Sequence, residues 1–502
     1  MEAWSSLLNG FVAAITPYNL LFALIGSIAG TLVGVLPGLG PTAAIAMLLP
    51  LTTHLEPAPA IIMMAAIYYG AMYGGSTTSI LVNIPGEASS VPTAMEGYQL
   101  NLQGRGGPAL GISALASFAA GTMGVIGLTF FAPVLSGAAL AFGPPEYFAL
   151  TLLGLSLVVS LSGRDLGKGL LSALLGLLTA MVGLDPLTGV ARLTFGSMEL
   201  MAGIDFVPII MGLFAISEIL GNSEKQIKRI LEAKRVEWLP TWQDIKDTWK
   251  ATTRSGVIGF LAGLIPGCSP AVTSFMVYDL EKRLSKHPER FGKGAMDAVA
   301  AVEGSNNATA SGGFVPLLAF GIPSGPALAV LLGGFLMYGL QPGPRLMQEQ
   351  PALLWTIIAS MYIGNAMLLV LNLPLVGVWA RMALVPFPIL GPMIAVFTLI
   401  GAYSLRHSFF DLWISLLFGV VGYVMRKLDF PIAPMVLATV LAKLMETSFM
   451  QSLVMSKGSP LIFFTRPICI AFIALTVVSV VSGVLLRRKA RSQQLDLEES
   501  EG

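Results

Sequence analysis

The chain is predicted to be an all-α polytopic membrane protein of about 11 transmembrane helices plus two re-entrant hairpins, arranged as an inverted-topology repeat. Three observations carry this expectation. Only 11% of the 502 residues are charged while 55% are hydrophobic, where a soluble domain carries about 25% charged residues. Apolar stretches such as 109–135, 202–220, 353–378 and 468–486 are each long enough to cross roughly 30 Å of hydrocarbon. Finally, residues 30–41 (GTLVGVLPGLGP) align without gaps to residues 259–270 (GFLAGLIPGCSP), offset by 229, with six of twelve positions identical.

The second copy fixes the argument for hairpins. Lys and Arg concentrate in 225–254, 282–293, 426–427 and 487–491, which the positive-inside bias places in the cytoplasm. The apolar stretch 255–280 lies between the first two of these loops and carries Pro266-Gly267-Cys268-Ser269-Pro270 at its middle. A segment that enters and leaves on one side must turn within the membrane, and Pro-Gly-x-x-Pro is where a helix breaks. Around the first copy no Lys or Arg occurs in residues 1–103, whereas Glu2 and Glu56 do, so its flanks are expected on the periplasmic side. Two hairpins entering from opposite faces are the signature of an inverted repeat, with a binding site near the midplane.

The remaining crossings follow in order. Segments 59–95, 109–135, 147–161, 166–184 and 202–220 separate the hairpins by an odd number. After the second hairpin come 294–340, 353–380, 388–405, 409–425, 430–455 and 461–486, which return the tail to the cytoplasm. The expected division is a first repeat at 1–221, a cytoplasmic linker or interfacial helix at 222–254, a second repeat at 255–486 and a tail at 487–502. The N-terminus lacks a basic n-region, so no cleavable signal peptide is expected.

Long apolar segments after each hairpin contain polar tracts, YGGSTTS at 73–79 and EGSNNATAS at 303–311, followed by second breaks NIPGE at 83–87 and GIPSG at 321–325. Helix is not expected to run smoothly through either tract, and the two are read as corresponding places in the repeats. Broken helices offer free N–H groups and positive dipole ends to an anion, and unwound carbonyls to Na⁺. Substrate contacts are therefore expected from Pro37, Gly38, Gly40, Ser76, Thr77, Thr78, Pro266, Gly267, Ser269, Ser305, Asn306 and Asn307. Ion contacts are expected from Ser79, Asn83, Glu303, Thr309 and Ser311. Hydroxyls and amides hold carboxylates without a buried fixed charge, and neutral oxygens suit Na⁺. The plain alternatives are that small residues serve close helix packing and that the Pro-Gly positions are simple kinks.

Intramembrane ionisable groups are functional candidates because burying a charge in lipid is expensive. Glu303 and Asp297 lead them, while Lys443 and Glu446, three apart on one helix, read as a structural pair. Tyr69 and Tyr73 lie one turn apart beside the first polar tract, as packing groups or hydrogen-bond donors. The two cysteines and three histidines are scattered, with no disulfide framework, metal-ligand spacing or catalytic triad. No Walker loop occurs, so no cofactor or ATP hydrolysis is expected and energy would come from an ion gradient. No nucleic-acid footprint is present.

The motifs GVLPGLGP (34–41), YYGAMYGGSTTSILVNIPGE (68–87) and EGSNNATASGG (303–313) resemble the large permease subunit of the tripartite tricarboxylate transporters, the TctA family. The similarity extends over about residues 20–486. The resemblance implies a multi-pass protein of the bacterial inner membrane, in an elevator-type ion-transporter-like architecture. It implies partnership with a small membrane subunit and a periplasmic solute-binding protein, and uptake of a di- or tricarboxylate such as citrate with Na⁺ or H⁺. Substrate or ion contacts would fall at 37–41, 76–79, 266–270 and 305–309. A stand-alone symporter and a passive anion channel are the alternatives. Cys268 interrupts the symmetry of the two hairpins and is read as packing.

Overall fold

The computed structural model describes residues 2–36, 39–161, 165–185, 188–223, 240–375, 377–379 and 387–501. The chain divides into two compact units, one from 1–139 and 207–423, the other from 140–206 and 424–502. The first unit thus draws on both sequence repeats, and it contains every sequence-predicted site residue that is described.

Within it the two repeats build the same succession of helices. In the first, helices Pro17–Val35 and Gly40–Leu48 form a hairpin, followed by a core helix Pro57–Val82, a break, and helix Val91–Leu102. In the second, Trp242–Gly263 and Pro270–Leu284 form the hairpin, followed by the core helix Met296–Phe320, a break, and Pro326–Met337. Proline opens most of these helices at the first or second position, where its missing N–H is no loss. Both core helices end in a left-handed residue, Asn83 at φ 56° and Gly321 at φ 74°, the usual way to stop a helix and satisfy its last carbonyls. Asn83, expected as an ion ligand, is thus a helix cap.

Glycines set how closely each hairpin meets its core helix. A Cβ on Gly30 or Gly34 would lie 2.4 Å from the carbonyl oxygen of Ile67 or 2.3 Å from that of Ala71. On Gly259 and Gly263 it would lie 2.5 Å from the carbonyl oxygens of Ser305 and Thr309. The same four-residue spacing therefore docks both hairpins, in the manner of small-residue stripes in membrane bundles. Two of the six identities that revealed the repeat are these packing glycines.

Several expectations change. The core helices are continuous through both polar tracts, and the buried hydroxyls there are satisfied on their own helix: Ser79 donates to the Gly75 carbonyl at 2.8 Å and Thr309 to that of Ser305 at 2.7 Å. The tracts are also not equivalent positions. The repeat offset is 229 residues at the hairpins but 238 between the caps Asn83 and Gly321, so Ser305 corresponds to Ile67 and not to Ser76. The segment 240–254, expected in the linker, largely belongs to the first arm of the second hairpin, which starts at a capping box between Thr241 and Asp244; residues 224–239 of that linker lie outside the described residues.

Eight described helices are long and apolar enough to cross a membrane. The core helices are not among them, since Gly, Ser, Thr and Asn lower their hydropathy. They are instead enclosed by other helices, with residues 59–80 and 298–319 buried throughout. Expected crossings 147–161 and 166–184 are the shorter apolar helices Pro144–Leu161 and Leu166–Ala180.

In the second unit, Pro144–Leu161 and Leu166–Ala180 pack with Ile432–Met455 and Pro467–Glu501. A two-stranded antiparallel hairpin pairs Gly183 with Arg192. Glu446 pairs not with Lys443 but with Arg192, whose guanidinium also meets Asp185 at 3.4 Å.

Candidate functional site

The first unit carries a partly open cavity of about 460 Å³, a size suited to a small molecule. Four of the segments that line it are each the start of a helix, and Tyr68 and Met72 of the first core helix complete the wall. Gly40, Pro41 and Thr42 come from the first hairpin tip, and Ser269, Pro270 and Ala271 from the second. Pro85 to Ser89 come from the first break, and Gly325, Pro326 and Ala327 from the second. Helix starts leave N–H groups without intrahelical partners, so four such ends turned to one space make it favourable for negative charge.

The tips are shaped for this convergence. Gly40 (φ +61°) and Gly267 (φ +87°) adopt left-handed conformations that residues with a Cβ rarely hold. The Gly267 amide donates to the Ser324 carbonyl at 2.9 Å, tying the second tip to the second break. A Cβ on Gly86 would lie 2.0 Å from the carbonyl oxygen of Gly34 and 2.6 Å from the Gly75 Cα, so only glycine lets the first break lie on its hairpin. No Lys or Arg is among the described residues on the cavity wall; Glu87 is its one carboxylate.

A second polar centre lies in the interior, where the core helices cross. Chain directions are opposed there, since Tyr69 donates to Ser311 at 2.9 Å while Ser76, further along its helix, donates to Glu303, earlier on the other. The Glu303 carboxylate is fully buried and accepts from Ser76, from Thr93 and, at 3.4 Å, from the Asn306 amide. No basic residue pairs with it among the described residues. Beside it, the Asn307 amide donates to the Glu303 carbonyl at 3.1 Å and to Asn306 Oδ1 at 2.6 Å, while its own Oδ1 is buried without a partner. Uncompensated buried charge is costly, so this carboxylate is suited to hold a proton or a small cation.

The sequence-predicted residues therefore fall into two groups. Gly40 and Ser269 line the cavity, and Pro266 and Gly267 shape its tip; Pro37 and Gly38 lie outside the described residues. Ser76, Asn306, Asn307 and Glu303 gather in the interior cluster. Thr77 and Thr78 are buried in the core helix nearby, and Ser79, Ser305, Thr309 and Ser311 bond to helix backbone. Tyr73 donates to Asn365 at 2.6 Å. Asp297 stands at the start of its core helix, away from the cluster's hydrogen bonds. Sequence reasoning missed the cavity-lining role of 85–89 and 325–327, although the Pro and Gly of each break signalled a helix start, and it missed Thr93 and Tyr68.

Comparison with known proteins places the chain in a family. A protein of Agrobacterium vitis described as "Uncharacterized 52.8 kDa protein in TAR-I ttuC' 3'region" is 44% identical over 501 residues, covering 99% of this chain and 100% of its own length. A second from the same organism, described as "Uncharacterized protein in TAR-II ttuC' 3'region", is 40% identical over 241 residues, 48% of this chain and 100% of its own. No solved structure matches the chain. The family model described as "Tripartite tricarboxylate transporter TctA family" matches residues 20–437. With that match spanning the hairpins, the core helices and the cavity, this multi-pass membrane chain belongs to the tripartite tricarboxylate transporter TctA family.

Proposed function

We propose that this permease takes up a di- or tricarboxylate across the bacterial inner membrane by secondary transport, with the cavity of the four helix starts as the cargo site. The observation that carries the reading is the convergence of those four starts on one space of about 460 Å³ without a fixed basic residue. Backbone dipoles attract an anion without a permanent buried charge, which lets the empty site return as readily as the loaded one.

Coupling resides in the Glu303 cluster. Ser76, Thr93 and Asn306 supply hydroxyl and amide groups from three helices around one carboxylate, and a bound Na⁺ or H⁺ neutralises it. Cargo reaches the permease from a periplasmic solute-binding protein, and a small membrane subunit completes the assembly. The two inverted repeats supply the moving halves of the site.

Uptake in membrane vesicles that contain the assembled system tests the proposal. Labelled citrate or a related carboxylate is expected to accumulate unchanged against its gradient, and to stop accumulating when both Na⁺ and proton gradients are removed. Equilibration without accumulation would assign a channel.

A further inference from the structure

Resting on the carboxylate reading of the cavity and on Glu303 as the coupling group, we infer that Thr93 is the positioning residue that joins them, carrying the charge state of the Glu303 carboxylate to the cavity wall through the first turn of its helix.

The helix Val91–Leu102 has three attachments in chain order. Its start belongs to the cavity, because Val91 lines the wall together with the break 85–89 that leads into it. Two residues on, Thr93 is fully buried and donates to the Glu303 carboxylate on the second core helix. One turn further, the carboxylate of Glu96, also fully buried, accepts from the Tyr278 hydroxyl at 2.7 Å and from the amides of Gly292, Gly294 and Ala295. Those amides lie just before the second core helix, so Glu96 pins its own helix to the second repeat. Leu100 adds to the anchor, sharing a buried cluster with Met296, Val299 and Ala300 of that core helix. With its far end fixed, the helix moves at its start, and a rigid element of this kind passes a shift at Thr93 to residues 85–91.

The bond at Thr93 differs between the two charge states of Glu303. A hydroxyl donating to an ionised acceptor makes the stronger and shorter class of hydrogen bond. Once a cation or proton neutralises the carboxylate, that bond weakens, and the hydroxyl oxygen is available to accept instead. Thr93 therefore draws the start of its helix toward Glu303 when no cation is bound and releases it when one is. The wall at 85–91 follows, which gives the cavity two affinities for cargo and, by linkage, gives the cluster two affinities for the cation. In a symporter the released form is the one that holds cargo. The Asn306 amide bonds to the same carboxylate from the second core helix, which contributes no residue to the cavity wall, so it acts on the cation alone.

The full chain in lipid nanodiscs is titrated with labelled citrate and labelled succinate, with Na⁺ or K⁺ as the salt and from neutral to acid pH. Glu87 and Tyr68 face the cavity and titrate as well, so the coupling is the part of either dependence that Glu303→Gln abolishes. The cation is expected to tighten cargo binding about tenfold. Thr93→Val keeps size and branching but removes the hydroxyl. It is expected to bind cargo without the cation nearly as tightly as the unaltered chain does with it, leaving a coupling of about twofold or less; Thr93→Ala, a second variant without the hydroxyl, carries the same expectation. A merely structural defect would weaken cargo binding instead. Thr93→Ser restores the donor and is expected to restore the coupling, while Asn306→Ala is expected to need more cation yet to reach the full coupling at saturation. Full coupling in Thr93→Val and Thr93→Ala, weak cargo binding by both with and without the cation, or lost coupling in Thr93→Ser overturns the inference and leaves the carboxylate reading standing. Cargo binding that neither cation affects overturns the role of Glu303 and the inference with it, and binding of neither probe overturns the carboxylate reading as well.

Discussion

Glu303 is the residue on which transport energetics turn. Its carboxylate is fully buried, bonded by Ser76, Thr93 and Asn306, and meets no basic residue among the described residues. Glu303→Gln removes the charge while keeping shape and most hydrogen bonds, so the protein is expected to fold yet to lose gradient-driven accumulation at least tenfold. Vesicle uptake, with the amount of membrane-inserted protein as control, measures this. Ser76→Ala and Asn306→Ala each remove one donor, worth about 1–3 kcal/mol when the acceptor is charged and buried. Both are expected to raise the half-saturating cation concentration, and unchanged transport in both would remove the cluster from the coupling mechanism. The role of Glu303 as an ionisable intramembrane residue was legible in the chain. Thr93 was not, because nothing in its local sequence marks a hydroxyl that meets a carboxylate 210 residues away.

At the scale of elements, stability and site shape depend on how hairpins dock. Gly34→Ala and Gly263→Ala each drive a Cβ to within 2.3 and 2.5 Å of a backbone oxygen of a core helix. Overpacking of this kind is expected to destabilise by about 2–3 kcal/mol. Gly40→Ala meets no atom within 4 Å and bears only the strain of its φ of +61°, about 1 kcal/mol. Thermal unfolding in detergent should rank the packing glycines well below Gly40→Ala, and the reverse order would contradict the docking described. Thr241→Ala removes the capping box at the start of the second hairpin and is expected to cost about 1 kcal/mol. The helix breaks at the two hairpin tips were legible from Pro-Gly-x-x-Pro. The helical continuity of the polar tracts was not, because Ser and Thr read as helix-disfavouring until their hydroxyls are seen bonding back to the preceding turn.

For the molecule as a whole, the decisive feature is that one compact unit is assembled from both repeats. Tyr69 with Ser311, Tyr73 with Asn365, and Ser76 with Glu303 are bonds between the first and second halves of the chain. Residues 1–223 expressed alone are therefore expected to be degraded, since their core helix would face lipid with its tyrosines and serines unpaired. Co-expression with 224–502 is expected to restore a protease-resistant product. A stable first half by itself would mean that the repeats are independent domains.

The sequence by itself determined the membrane class, the duplication, the two Gly/Pro hairpins and the family resemblance, because composition, periodicity and helix-breaking residues act locally along the backbone. Only the tertiary structure decided which polar groups share a site. The core helices cross with opposed directions, and the repeat offset grows from 229 to 238 between hairpin and cap. Ser76 thus meets Glu303 although the two occupy unequal places in their repeats, and the cavity is walled by the breaks instead of the polar tracts. Register across a helix crossing is fixed by close packing of side chains and glycines, which no pattern within either helix encodes.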